Sequence, residues 1–414
     1  MESNFPKKVI TLSIGTIGSQ IVIISSTPIL TRIYAPEDFG GFTIFFSIVS
    51  VLSLFATGRY ELGIVLAKSN KDAIGIASLS FFLSILFSIS CFLFLLIFSN
   101  YINEHGNFKK IYEYWYLIPN AVAIVSFYQI ATYYHLRLED YKKISINRMV
   151  QSITSSLFQI TLGIFSFGIF GLIFGYIFGY ILCLFLFVKN ELFVSYLLKL
   201  ACYKRLMVLS RKYSRFPKYE LPQSFIDSFH NYGVYFIIGY FYPVSKVGLF
   251  ALSMRIALLP SSVIGGAMAN VFYSSVSKDK GNLYLLTIRL IKKMVVFSAC
   301  LYMLLFITAE FVVSFVFGEE WRNSGLIIKY LCFWLFLRFI SSPISTIPLL
   351  INKQSTFLLF GITYNILVFG SLLSTALLDY TFLDSILITY TISGFFLVLV
   401  INWLILQARE FNEV

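Results

Sequence analysis

The chain has 414 residues, of which 58% are hydrophobic, 18% aromatic and only 13% charged, with a mean hydropathy of +0.81. Soluble globular chains carry about 25% charged residues, so the composition excludes an ordinary water-soluble domain and makes the bilayer the solvent. The formal net charge of +12 is accounted for by a Lys/Arg bias of cytoplasmic loops, with no nucleic acid as partner.

Twelve apolar segments follow one another, at 9–32, 41–66, 73–98, 116–136, 144–166, 169–188, 219–241, 247–274, 286–309, 326–350, 355–377 and 383–406. Each is long enough to cross a hydrocarbon core of about 30 Å as a helix. The sequence predicts an all-α polytopic membrane protein with 12 transmembrane helices. Segment 1 follows Lys7-Lys8 and lacks a small-residue cleavage site, so it reads as a retained span rather than a signal peptide. It contains Pro28, ends in Thr31-Arg32, and leads through the turn Tyr34-Ala35-Pro36-Glu37-Asp38-Phe39-Gly40 into segment 2, which carries Arg59 and Glu61 near its far end.

Segments 1–6 form an N-terminal half, 1–188. The loop 189–218 then brings eight basic residues among apolar ones, the pattern of an interfacial amphipathic helix and a linker. Segments 7–12 form a C-terminal half, 219–414. With both termini in the cytoplasm, 23 of the 32 Lys and Arg fall in or beside inner loops and five outside, which sets the orientation. The turn Tyr242-Pro243 followed by Gly248-Leu249-Phe250 echoes the turn after segment 1. That implies two parallel repeats with a substrate site between two six-helix lobes.

The five cysteines show no metal-ligand spacing and read as core residues. No phosphate-binding loop, HExxH or GxSxG motif occurs, and the longest outer loop, 99–115, is too short for a catalytic domain. The informative residues are instead ionisable groups inside apolar segments, where charge is costly and marks function. These are Arg32, Arg59, Glu61, Glu220, Asp227, Arg255 and Arg338. At helical spacing, Gln20 joins a stripe of Ser and Thr on segment 1, Glu61 one on segment 2, Asp227 one on segment 7, and Arg255 and Asn270 one on segment 8. Such stripes either wall a wet cavity or mark helix–helix packing. Arg59 and Glu61 lie two residues apart, about 200° around an ideal helix. Arg59 therefore either enters the cavity through a loosening at Gly58 or reaches back to the cytoplasmic surface. Pro28 and Pro260 are expected to bend their helices.

The Thr31–Gly40 turn resembles the one after the first helix of O-antigen and polysaccharide flippases of the Wzx type. Gly58-Arg59-Tyr60-Glu61 resembles that family's second-helix motif, and Arg215-Phe216-Pro217 with Leu221-Pro222 its entry to helix 7. Arg255 with Leu259-Pro260 is similar to its helix 8, and Phe317-Gly318-Glu319-Glu320-Trp321 to its loop after helix 9. The resemblance implies the multidrug/oligosaccharidyl-lipid/polysaccharide (MOP) exporter superfamily, two six-helix lobes in a V as in MATE exporters, and the bacterial inner membrane. It implies carriage of an undecaprenyl-diphosphate-linked sugar between leaflets, with Arg59 and Arg255 on the diphosphate and Arg32 and Arg338 assisting. Gln20 and Asn270 would complete the substrate set. Glu61, Asp227 and Glu220 would pair with arginines or take a coupling cation, H+ or Na+; no other cofactor and no metal are expected. Membrane lipids and other polysaccharide assembly proteins are the remaining candidate partners. A cation-coupled multidrug exporter, a polysaccharide polymerase or ligase, and a purely structural membrane protein are the alternatives.

Overall fold

The computed structural model describes residues 5–104, 113–188, 203–265, 268–269, 272, 276 and 282–413. Asn270 and the first part of the central loop, 189–202, lie outside the described residues. The described chain is nearly all helix, with no strand among the described residues. In hydrocarbon the backbone must satisfy its own hydrogen bonds, and a helix does so within one segment.

The helices are α1 (Phe5–Ile33), α2 (Pro36–Thr57), α3 (Leu62–Leu66), α4 (Asn70–Glu104), α5 (Leu117–Arg137), α6 (Tyr141–Ile164), α7 (Ile169–Val188), α8 (Tyr203–Lys212), α9 (Leu221–Phe241) and α10 (Val244–Ala257). They continue as α11 (Leu283–Phe317), α12 (Arg322–Ile344), α13 (Ile347–Leu350), α14 (Gln354–Leu377) and α15 (Phe382–Glu413). Among the described residues, eight stretches are long and apolar enough to cross a membrane. Expected spans α5, α6, α9 and α10 are not among them. The reason is visible in α6 and α9, which carry Lys142, Lys143 and Arg148, and Gln223, Asp227 and Asn231.

Two compact units divide at Gly248: Met1–Gly248 and Leu249–Val414. Helix α9 therefore counts with the first unit, where it packs on α2. In that unit α2 is central, touching α4, α5, α7 and α9, while α6 is held between α1 and α7. Phe45, Val49, Val122, Val125, Ile173 and Ile177 form the core shared by α2, α5 and α7. In the second unit α12 is central, packed on α11 and α15, with Trp334, Leu335 and Phe339 fully enclosed.

Two expectations about helices change. Segment 2 is not one span: α2 stops at Thr57, and Gly58 and Arg59 both take left-handed backbone, at φ 58° and 59°. Gly58 caps α2, its N–H donating to the Phe55 carbonyl at 3.1 Å. Segment 8 likewise ends early, at Ala257, and a π-helical turn at Ser261–Gly265 follows Pro260. Pro28, by contrast, sits inside an unbroken α1.

The two echoing turns meet inside the first unit. A Cβ added at Gly40 would overlap the Val244 carbonyl, and one at Gly248 would overlap the Pro36 carbonyl. Pro36 stands four residues before Gly40 as Val244 stands four before Gly248. The reciprocal contact is what a local two-fold relation between repeats produces, and only glycine permits backbones this close.

Candidate functional site

The break after Thr57 builds the site. With the helix ended, Arg59 is no longer opposed to Glu61 around a helical wheel, and its Nη1 lies 3.3 Å from Glu61 Oε1. The Glu61 side chain is 0% exposed and that of Arg59 19%, so Arg59 turns inward to the carboxylate rather than back to the surface. The Thr57 hydroxyl also reaches the Glu61 carboxyl. Two atoms of the pair, Arg59 Nε and Glu61 Oε2, are buried without a hydrogen-bond partner among the described residues. A pair with spare donor and acceptor capacity in a closed environment is a place where a polar ligand gains most.

Arg148 of α6 stands on the neighbouring α1–α6 contact. Its Nη1 donates to Thr16 Oγ1 of α1 at 2.9 Å, one turn before Gln20. It lies within electrostatic reach of Tyr128, Tyr133 and Tyr180, and Tyr133 also feels Arg59 and Glu61. Aromatic hydroxyls continue the lining: Tyr180 packs on Tyr128 and Tyr176, each with centroids 5.0 Å apart. Tyr232 of α9 reaches Ser50 and packs edge-on against Phe46 at 5.7 Å. Two guanidiniums, one carboxylate and several phenols thus share one wall of the first unit, with a surplus of positive charge.

The other expected residues stand apart from this cluster or serve their own helices. Gln20 is exposed on α1, and Arg32 is exposed at its last turn, where a cation complements the helix dipole. Glu220 and Asp227 are exposed seven residues apart along one chain direction. Gln223 donates to Asp227 at 3.3 Å, and neither acid makes an ion pair among the described residues. In the second unit, Arg255 is exposed in the last turn of α10. Arg338 lies over the Trp334 ring at 5.0 Å and bonds Tyr364, which accepts from Trp334 Nε1 at 2.8 Å.

Sequence reasoning missed Arg148, counting it among the inner-loop cations. The available signal is the polar spacing of Asn147, Arg148, Gln151, Ser155 and Gln159 along α6. Among the described residues no group of three or more His, Cys, Asp or Glu is placed to hold a metal ion.

Comparison with known proteins places this geometry in context. The sequence profile of a family described as "Polysaccharide biosynthesis protein" matches residues 29–325. No curated protein sequence matches the chain significantly. Among solved structures, the lipid II flippase MurJ in an inward closed conformation is similar with a TM-score of 0.69 at 16% identity, over 97% of this chain and 90% of that one. A MATE transporter in complex with MaD3S gives 0.52 at 17% identity, over 98% and 95%. An outward-facing MATE multidrug transporter of the MOP superfamily gives 0.52 at 14% identity, over 98% and 95%. These likenesses show the fold shared by flippases and MATE exporters.

Proposed function

The chain belongs to the polysaccharide biosynthesis protein family, and from that premise we propose that it is a transporter rather than an enzyme. Its cargo is an undecaprenyl-diphosphate-linked oligosaccharide, an O-antigen or related repeat unit, carried from the cytoplasmic to the periplasmic leaflet of the bacterial inner membrane by alternating access. The observation that carries this reading is the buried Arg59–Glu61 pair, which acts on Tyr133 together with Arg148. A diphosphate cannot enter hydrocarbon without replacing its hydration, and guanidiniums replace it with charge-assisted, often bidentate bonds. Arg59 keeps Nε available for such a bond, and the neighbouring phenols suit sugar hydroxyls.

Glu61 holds Arg59 in place while the site is empty and takes H+ or Na+ as the coupling cation when phosphate displaces it. Arg255 is assigned to the diphosphate, with Arg32 assisting, on the sequence pattern alone. Arg338, engaged with Trp334 and Tyr364, contributes charge at most. The deep burial of Glu61 favours the second reading, a cation-coupled exporter of organic cations. Its pairing with Arg59 weighs against that cargo. Complementation of a flippase-null strain separates the two: restored surface polysaccharide supports the first, and drug resistance without polysaccharide supports the second.

A further inference from the structure

Helix α8 uses only one of its two faces within the first unit. The inner face is tied down. Leu209 is 3% exposed and packs so closely on Gly75 of α4 that an added Cβ there would overlap its side chain. The Ser210 carbonyl accepts from the Tyr60 hydroxyl, and Asp72 engages both Arg205 and Lys212. These contacts fix which way the helix faces. Lys204, Val208 and Arg211 recur at steps of four and three, and Arg215 follows four residues on, so they lie together on the opposite side. All four are exposed.

The chemistry of that outer face is one-sided. Residues 203–219 hold six Lys and Arg and no Asp or Glu. Asp72 engages two of the six; Lys204, Arg211, Arg215 and Lys218 are exposed and make no ion pair among the described residues. A face meant only for water has no use for apolar groups set among its cations, yet Val208 is 64% exposed and Met207 39%. Tyr219, beside Lys218, is exposed as well. Cations interleaved with exposed apolar and aromatic groups suit a lipid–water boundary, where the charges meet head groups and the apolar groups enter beneath them. The Lys/Arg bias puts this end of the chain on the cytoplasmic side, and the leaflet on that side carries the complementary negative charge.

We propose that the outer face of α8 docks on the anionic phospholipid surface of the cytoplasmic leaflet, and that docking steadies the helix break at Gly58–Glu61. Lipid phosphates lie against Lys204, Arg211, Arg215 and Lys218, while Met207, Val208 and Tyr219 enter the acyl boundary. The path inward is short. Leu209 shares a hydrophobic cluster with Tyr60, Ile64 and Ala73, and Tyr60 stands between Arg59 and Glu61 in the chain. Leaflet charge thus bears on the Arg59–Glu61 pair without a lipid touching it. No cargo enters this step, so it stands or falls apart from the transport reading.

The test places the full-length protein in nanodiscs of phosphatidylcholine, or of phosphatidylcholine with phosphatidylglycerol, and follows amide exchange by mass spectrometry. Exchange across 203–212 should be slower in the anionic discs by about tenfold, the effect of two or so cations near such a surface. Exchange across 58–66 should slow with it. Raising salt to about 0.5 M should remove the difference, because exposed charges are screened. The K204Q/R211Q variant should exchange alike in both discs; neither side chain bonds another among the described residues, so the variant folds. Val208→Asn should shrink the difference at unchanged charge. Equal exchange of 203–212 in the two discs, or a difference that persists in K204Q/R211Q, would overturn the docking. Slowing confined to 203–212 would overturn its reach to Gly58–Glu61.

Discussion

At the residue scale the account turns on Arg59. A left-handed backbone costs a non-glycine residue about 1 kcal/mol or more, and the chain keeps arginine there, at φ 59°. That strain aims the guanidinium at Glu61 instead of along α2. Removing Arg59 strands a buried carboxylate, so Arg59→Ala should cost about 3 kcal/mol and lower the melting temperature in detergent. Adding Glu61→Gln should restore most of that loss without restoring transport. A double variant as unstable as R59A would show that the pair does not carry the stability. The sequence made Arg59 and Glu61 conspicuous as charges in an apolar run, but not their meeting. Helical arithmetic set them on opposite faces, because nothing in Thr57-Gly58-Arg59 announces two consecutive left-handed residues. Arg148 was obscured for another reason: it lies close enough to Lys142 and Lys143 to pass for one more loop cation.

At the element scale, two joints tie the elements of the first unit together. One is the reciprocal approach of Gly40 and Gly248 on the carbonyls of Val244 and Pro36. A methyl at either place must push a backbone aside, so Gly40→Ala or Gly248→Ala should destabilise by about 2 kcal/mol. The melting temperature in detergent should fall accordingly, and an unaltered melting temperature would contradict the contact. The sequence likened Pro36 and Gly40 to Pro243 and Gly248, whereas the direct meeting of the two turns required the fold.

The other joint is α8. Leu209 inserts into a cluster with Tyr60, Ile64 and Ile76, and the Tyr60 hydroxyl donates to the Ser210 carbonyl at 3.1 Å. Lys212 Nζ lies 2.8 Å from Asp72 Oδ2 and Arg205 3.7 Å from Oδ1. The amphipathic helix expected in the central loop is thus tied to the residue between Arg59 and Glu61. The Asp72 carboxylate, hydrogen-bonded to Lys212, holds that ammonium above its ordinary value of 10.5. A raised value means the tie is present below the ordinary lysine range and is lost only as pH rises through the folded value. Asp72→Asn should therefore speed amide exchange in 203–212 at neutral pH, and alkali should do the same to the unaltered protein. Exchange unchanged by D72N would remove Asp72 from the latch.

At the scale of the whole molecule, composition alone identified a multi-span helical membrane protein, and the shared flippase and exporter fold agrees. The helices that fall short of the hydropathy expected for a span are informative. Helices α6 and α9 are too polar to face lipid all round, and α6 supplies Arg148 while α9 carries the Asp227 stripe. Polarity that blurs a span in the sequence is what the proposed transport path for a lipid-linked substrate would require. Cargo identity was not legible, because phosphate and sugar recognition use residue types common to many polar cavities. A strain lacking its flippase should regain surface polysaccharide with the unaltered chain, and regain little with Arg59→Ala at equal protein level.

The most direct test follows the lipid itself. Purified protein is reconstituted in vesicles holding undecaprenyl-diphosphate-linked oligosaccharide, and the leaflet of the sugar is read by its accessibility to an added glycosidase or lectin. The account predicts protein-dependent movement between leaflets, slowed at least tenfold when Arg59 and Arg148 are both replaced by Ala, a loss of about 1.4 kcal/mol or more in transition-state stabilisation. Equal rates for the unaltered and doubly substituted proteins would contradict it.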